Sequence, residues 1–228
     1  MVVENRKMLY IFAMPKIQSS SQVNPRIQEI KRQRSLVLIK PDGVQRGLIG
    51  EVIGRFEKCG LKLVAMKMIW PGKELVEKHY SNDVGYLTEL GEKAKAGMAK
   101  SGLSDSRTPL QIGKWIRSQL GRYLSIGPVV AMVWQGTNSI ANVRQVVGGT
   151  NPVTADIGSI RADLSIDTIE IANMEGRSVR NLIHASSDPD EAKREIELWF
   201  SKSEISEYEN VMDKVLHDAE WDVPKGKK

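Results

Sequence analysis

An imidazole can attack phosphorus or a carbonyl near neutral pH if one ring nitrogen is held and the other is left free, and His184 has the surroundings for it. It follows the strand-like run Asn181-Leu182-Ile183 and precedes Ala185-Ser186-Ser187, small residues that leave a ring at a strand end accessible. A lone histidine there is more often a core or surface residue. Glu195, eleven residues on in a segment of helical pattern, changes that balance. A carboxylate on one imidazole nitrogen fixes the tautomer and makes the other nitrogen a nucleophile. Arg144 and Arg161 flank the loop Gly148-Gly149-Thr150-Asn151-Pro152. Taken alone they read as solvated charges, but guanidinium forks with a threonine hydroxyl also suit di- and triphosphate oxygens. Lys40, in Lys40-Pro41-Asp42-Gly43, stands where an apolar run ends and can reach a phosphate or a sugar hydroxyl. No P-loop or kinase-type glycine-rich loop is present, so any nucleotide is held by another architecture.

The elements that must position these groups are legible as hydrophobic periods. Leu36-Val37-Leu38-Ile39 reads as a buried strand entering the turn at Pro41, with the domain starting at Ser35. Ile49, Val52, Ile53 and Phe56 fall at helical spacing, and Gly60 stops that helix. Leu61 to Trp70 alternates as a second strand, and Lys73 to Tyr80 suits a short helix. Residues 81–118, with five glycines scattered through weakly helical sequence, resist assignment until Ile112, Trp115, Ile116, Leu120 and Tyr123 restore a helical stripe. Val129 to Trp134 is a third strand followed by a helix through Val143 and Val147. Asn181 to His184 is a fourth strand, and Asp190 to Phe200 is a helix. Strand and helix alternate four times, which predicts an α/β sandwich of ferredoxin-like type: a four-stranded antiparallel sheet with helices packed on it.

The 228 residues, 41% apolar and 27% charged, suffice for one substantial core. No apolar run approaches the roughly 20 residues of a membrane-spanning helix, and Met8 to Met14 has no small-residue cleavage site after it. Cys59, a single cysteine without a metal-ligand partner at suitable spacing, fits a reduced cytoplasm. The net charge of +5 lies entirely in residues 1–34, which carry seven basic side chains against two acidic ones. The rest is balanced, which argues against nucleic acid as a partner of the globular part. Residues 1–34 read as a basic, flexible N-terminal arm, and 35–228 as the working domain.

Four stretches together resemble the nucleoside diphosphate kinase family, in its order: Val37-Leu38-Ile39-Lys40-Pro41-Asp42-Gly43-Val44-Gln45-Arg46-Gly47, Ser125-Ile126-Gly127-Pro128 running on through Trp134, Gly149-Thr150-Asn151-Pro152, and Asn181-Leu182-Ile183-His184-Ala185-Ser186. The resemblance covers about residues 35–221. It implies ping-pong transfer of the terminal phosphate of a nucleoside triphosphate to a nucleoside diphosphate, through a phosphate on His184. It further implies that Glu195 is the hydrogen-bond partner of His184 and that Ser186 supports that carboxylate. Lys40, Tyr80, Arg144, Thr150, Arg161 and Asn181 match the residues holding the phosphates and the sugar 3′-hydroxyl. Mg²⁺ is then carried by the nucleotide phosphates, without a protein metal site. A homo-oligomer, a hexamer ahead of a tetramer, is implied as well, and no membrane partner.

The chain also departs from the family pattern. Ser187 and then Asp188 stand where the family usually has Asp directly after the serine of the histidine motif. Segments at about 81–118 and 165–178 look inserted, the second expected as a hairpin near the active site. Counting back from Tyr123 puts Ile116 at the position of the aromatic that usually stacks on the base. A nucleic-acid-binding or regulatory protein reusing the fold, or a small-anion-binding module, are the rival readings. The complete set of His184, Glu195, Arg144 and Arg161 argues against lost catalysis.

Overall fold

The structure, a computed structural model, describes residues 24–100, 102–218 and 221. A short helix, α1 (Pro25–Lys31), capped by the Asn24 side chain, leads into β1 (Gln33–Ile39), whose Leu36 to Ile39 are buried on both faces and so belong to a central strand. Pro41 opens α2 (Pro41–Gln45). In α3 (Ile49–Lys58), Val52 and Phe56 sit one turn apart and face inward; Gly60, at φ +81°, then turns the chain into β2 (Lys62–Ile69). Three helices follow: α4 (Lys73–His79), α5 (Val84–Lys100) and α6 (Pro109–Ser125). β3 (Val129–Gly136) returns through the middle of the molecule to α7 (Ser139–Val147), α8 (Ile160–Leu164) and α9 (Ile169–Met174). The chain ends its core with β4 (Ile183–Ala185), α10 (Pro189–Trp199) and α11 (Val211–His217).

The sheet order is β2-β3-β1-β4 with every neighbouring pair antiparallel, the ferredoxin-like arrangement. Because side chains alternate along a strand, β1 and β3 feed two separate cores. Val37, Ile39, Met132 and Trp134 pack with Phe56 and Val143 on one face. Leu36, Leu38, Ala131 and Val133 pack with Val76, Leu124 and Trp199 on the other. β4 is only three residues long, but its pairing of His184 opposite Leu38 puts the histidine beside the central strand.

Three expectations change. The sheet starts before Ser35: Gln33 and Arg34 already pair with Gly136 and Gln135, because β3 runs far enough to extend the ladder past the apolar residues. Within the expected arm, α1 is tied on by the Asn138 N–H donating to the Ile30 carbonyl at 3.0 Å, while residues 1–23 lie outside the described ones. Residues 165–178 form α9 and its flanking loops instead of a hairpin. Thr168 caps that helix, and Arg177 clamps Asp167 through two N–H···O contacts of 2.5 and 3.0 Å.

The unassigned stretch 81–118 is largely a helical hairpin, and its glycines explain why the pattern was weak. A Cβ on Gly91 would stand 1.8 Å from the Pro109 carbonyl oxygen, and one on Gly113 would stand 1.8 Å from that of Leu87. The two glycines let α5 and α6 meet backbone to backbone, where a hydrophobic stripe would otherwise be needed. Gly113→Ala should therefore lower stability by about 1–3 kcal/mol through overpacking. Gly97→Ala, in the same hairpin with open space around it, should raise stability by about 0.5–1 kcal/mol. Urea midpoints of the two variants, moving in opposite directions, check this.

Candidate active site

The residue before His184's strand is bent in an unusual way. Leu182, fully buried, has φ +73°, and the Ile183 N–H donates to the Asn181 carbonyl at 2.7 Å, so Leu182 is the centre of a γ-turn of the strained, positive-φ kind. The Leu182 carbonyl is held by the Lys40 N–H at 2.8 Å. This turn carries Asn181 and His184 on either side of it, which aims both side chains from one fixed piece of backbone.

α10 brings the carboxylate. Asp188 accepts the Glu191 N–H at 2.8 Å as the helix cap, and the helix folds back along the sheet until Glu195, 1% exposed, meets His184. His184 Nε2 lies 2.9 Å from Glu195 Oε1 and 3.1 Å from Oε2, and the Ser186 hydroxyl donates to Oε2 at 2.7 Å. Nδ1 is thus the free nitrogen of a ring that lines the cleft. Burial, then the nearby Lys40, pushes the His184 pKa down to about 3, against the raising influence of Glu191, so the ring is neutral. Burial raises Glu195 above the usual carboxylate range, opposed by the nearby His79, then by the Ser186 hydrogen bond and Arg194. The displaced acidic residue of the motif acts locally: the Ser187 hydroxyl lies 2.8 Å from Asp188 Oδ2 and 2.6 Å from Glu191 Oε2, with one proton to give to either, and the Ser187 N–H donates to Glu191 at 2.6 Å, which closes the same turn.

The cations surround this pair. Lys40 Nζ donates to Asn181 Oδ1 at 2.7 Å, and the Asn181 amide donates in turn to the Thr150 carbonyl at 2.9 Å. Burial, then Arg161, lowers the Lys40 pKa to about 7, with Asp42 opposing. Arg161 spends three N–H groups on the carbonyls of Gly148, Ile183 and Asn181, at 2.8, 2.7 and 3.3 Å. Burial, then Arg144, lowers its pKa to about 10. Arg144 and Thr150 are exposed, and Tyr80 follows α4, its phenol pushed up by burial. All of these line one cleft of about 740 Å³ together with His184 and Glu195, a size that accepts a nucleotide.

Ile116 is not among the lining residues. Leu120, one turn farther along α6, lines the cleft instead, with Tyr86, Leu90 and Lys93 of α5 and with Val179. A count along the sequence cannot find them, since which face of α5 meets the cleft depends on its backbone contact with α6. His79 and Arg194, also in the lining, are the direct sequence neighbours of Tyr80 and Glu195, and that adjacency was the available signal. His79, His184 and Glu195 have potential ligand atoms within 4.8 Å of one another. Two nitrogens and an oxygen already engaged by hydrogen bonds are a poor match for a hard, oxygen-seeking Mg²⁺.

Known proteins resemble this chain in sequence and in fold. Residues 33–88 and 111–205 match the sequence model of a family described as nucleoside diphosphate kinase. A nucleoside diphosphate kinase of Pyrobaculum aerophilum is 42% identical over 181 residues, 77% of this chain and 98% of that protein. One from Archaeoglobus fulgidus is 41% identical over 189 residues, 83% and 96% of the two chains. Among solved structures, the Pyrobaculum aerophilum NDP kinase superimposes with a TM-score of 0.75 at 41% identity, covering 77% of this chain and all of that one. A Borrelia burgdorferi nucleoside-diphosphate kinase, a transition-state mimic with bound vanadate and ADP, gives 0.68 at 35% identity, covering 82% and 97%.

The neutral imidazole has a consequence for stability. In the unfolded chain His184 binds a proton at its ordinary 6.5, and in the fold only near 3, so its contribution is present above 6.5 and is lost as pH falls from there toward 3. The urea midpoint should drop between pH 7 and pH 5, and it should drop less in His184→Asn, which has no proton to take up.

Proposed function

The chain belongs to the nucleoside diphosphate kinase family, and we propose that His184 is the residue on which it carries the phosphate. The enzyme moves the terminal phosphate of a nucleoside triphosphate to a nucleoside diphosphate. The observation that carries the assignment is the 2.9 Å contact of His184 Nε2 with the buried Glu195, which leaves Nδ1 unprotonated in a cleft lined by cations.

The Nδ1 lone pair attacks the terminal phosphorus in line, the bond to the bridging oxygen breaks, and the diphosphate leaves with that electron pair. The Nε2 proton stays between the ring and Glu195, so the positive charge that develops on the imidazole is met by a carboxylate. A second diphosphate then takes the phosphate by the reverse step. Lys40, Arg144 and Arg161 stabilise the charge on the transferred group, where preorganised cations act most strongly. Thr150, Tyr80 and Asn181 complete the grip on phosphates and the sugar 3′-hydroxyl. Mg²⁺ enters as part of the nucleotide substrate, since phosphate oxygens suit it better than the nitrogen-rich group in the site. One cleft serves donor and acceptor, so recognition falls on phosphate and ribose.

The 81–118 segment is read as an insertion, supported by the break in the family match between residues 88 and 111. The basic arm carries no residue assigned to the site. The protein is a homo-oligomer, a hexamer ahead of a tetramer; exposed Met66, Met68 and Trp70 along and just beyond the edge strand β2 support association. Among the described residues no helix is long and apolar enough to cross a membrane, and a lone cysteine supports a cytoplasmic setting.

Incubation with a triphosphate labelled at its terminal phosphate should give a phosphoprotein labile in acid and stable in base, absent from His184→Ala. Label that survives acid, or that persists in the variant, overturns the assignment. Lys40 supplies an independent check. With a pKa near 7 in the free protein, it is mostly uncharged at pH 8, and an arriving phosphate restores the proton. Diphosphate binding at pH 8 should take up protons, seen as a buffer-dependent heat in calorimetry. That uptake should be absent in Lys40→Met.

A further inference from the structure

Behind the catalytic pair lies a second histidine with no assigned part in the chemistry. His79 ends α4, is 2% exposed, and packs edge-on against His184 with ring centroids 4.7 Å apart and planes at 82°. Its Nδ1 has two neighbours: Trp199 Nε1 at 3.3 Å and Glu195 Oε1, also at 3.3 Å. The two make opposite demands. An indole nitrogen only donates, so the Trp199 contact requires a lone pair on Nδ1, whereas a carboxylate oxygen only accepts and would require a proton there.

Several observations say which demand prevails. Burial, then the proximity of His184, lowers the His79 pKa to about 3, so the ring is neutral and has one proton to place. The approach to Glu195 is therefore not an ion pair. Glu195 already has two donors, His184 Nε2 and the Ser186 hydroxyl. Trp199, 3% exposed, has its N–H aimed at Nδ1. With a lone pair on Nδ1 the proton sits on Nε2, and that atom is buried with no hydrogen-bond partner among the described residues. Nε2 lacks a partner in either tautomer, so the choice rests on the Trp199 N–H, which can only donate and points at Nδ1.

We propose that Trp199 and His79 are positioning residues for phosphoryl transfer: the Trp199 N–H holds His79 in the tautomer that cannot donate to Glu195, so the carboxylate stays committed to His184. In the other tautomer, His79 Nδ1–H would donate to the same Oε1 that receives the His184 Nε2 proton. That would draw charge from the oxygen that makes His184 Nδ1 a strong nucleophile. The edge-on packing of His79 also limits rotation of the His184 ring about its held nitrogen. The inference rests on His184 being the phosphate carrier.

Trp199→Phe keeps an aromatic ring in place and removes the donor together with the pyrrole part of the indole. It should lower kcat for phosphate exchange by about tenfold, the lower end of what outer partners of an active imidazole are worth, with little change in KM. His79→Asn, whose side-chain oxygen can still accept from Trp199, should retain more of kcat than His79→Leu. Long-range ¹H–¹⁵N spectra of wild-type protein should show His79 protonated on Nε2, and those of Trp199→Phe should show the proton moving toward Nδ1. The wild-type spectrum does not depend on any variant folding. A wild-type His79 protonated on Nδ1, or unchanged kcat in a folded Trp199→Phe, overturns the proposal. Failure of wild type to form a phosphoenzyme instead overturns the reading of His184.

Discussion

The contact between His184 and Glu195 is the constraint that organises the molecule. A carboxylate 1% exposed is unfavourable unless its oxygens are met by donors, and here the donors come from different levels of the fold. His184 belongs to β4, Ser186 to the turn after it, and the Ser186 hydroxyl oxygen also accepts the Leu36 N–H of the central strand at 3.3 Å. The catalytic pair is thereby tied to the middle of the sheet. The short β4 pairs with β1 only over Val37 to Ile39, and α10 crosses β1 to deliver the carboxylate there. Any slip of one residue in that pairing would turn His184 to the other face.

Around the pair, the protein keeps like charges close together without counter-ions at contact distance on Lys40. Lys40 is 5% exposed; its ammonium lies 5.1 Å from the centre of the Tyr123 ring, and the Arg180 guanidinium carbon lies 4.5 Å from the same centre. The Tyr123 ring face and the Asn181 amide oxygen hold Lys40, and backbone carbonyls hold Arg161, while Asp42 acts on Lys40 from beyond contact distance. Carboxylates would neutralise the groups and compete with phosphate. Dipoles hold them in place and leave the net positive potential for the substrate, at the cost of a Lys40 whose proton is loosely held until phosphate arrives.

The α5–α6 hairpin extends this arrangement outward. Its glycine contacts fix one rigid unit, the Thr108 and Gln111 capping box starts its second helix, and Arg117 holds the turn after α4 through the carbonyls of Glu77, Tyr80 and Ser81. The segment that positions Tyr80 and His79 is thus braced from α6, and from α10 by Arg194 on the carbonyls of Lys78 and His79.

The sequence by itself determined the sheet, its helices and the chemical centre. Buried runs such as Leu36–Ile39 and Val129–Trp134 have no other stable use, and His184, Glu195, Lys40, Arg144 and Arg161 carry their chemistry in their side-chain types. It was silent where the determining contact is between backbones or between residues far apart in the chain. Glycines such as Gly91 and Gly113 weaken the helical pattern until the opposing carbonyl is seen, so the first helix of the hairpin went unassigned and the place of Leu120 in the cleft wall was not read. β1 gained Gln33 and Arg34 because β3 was long enough to pair with them, which no local pattern records. Only the tertiary structure brought Trp199 onto His79 and His79 onto Glu195, because the direction of a hydrogen bond at a buried nitrogen is set by which donors the whole fold delivers to it.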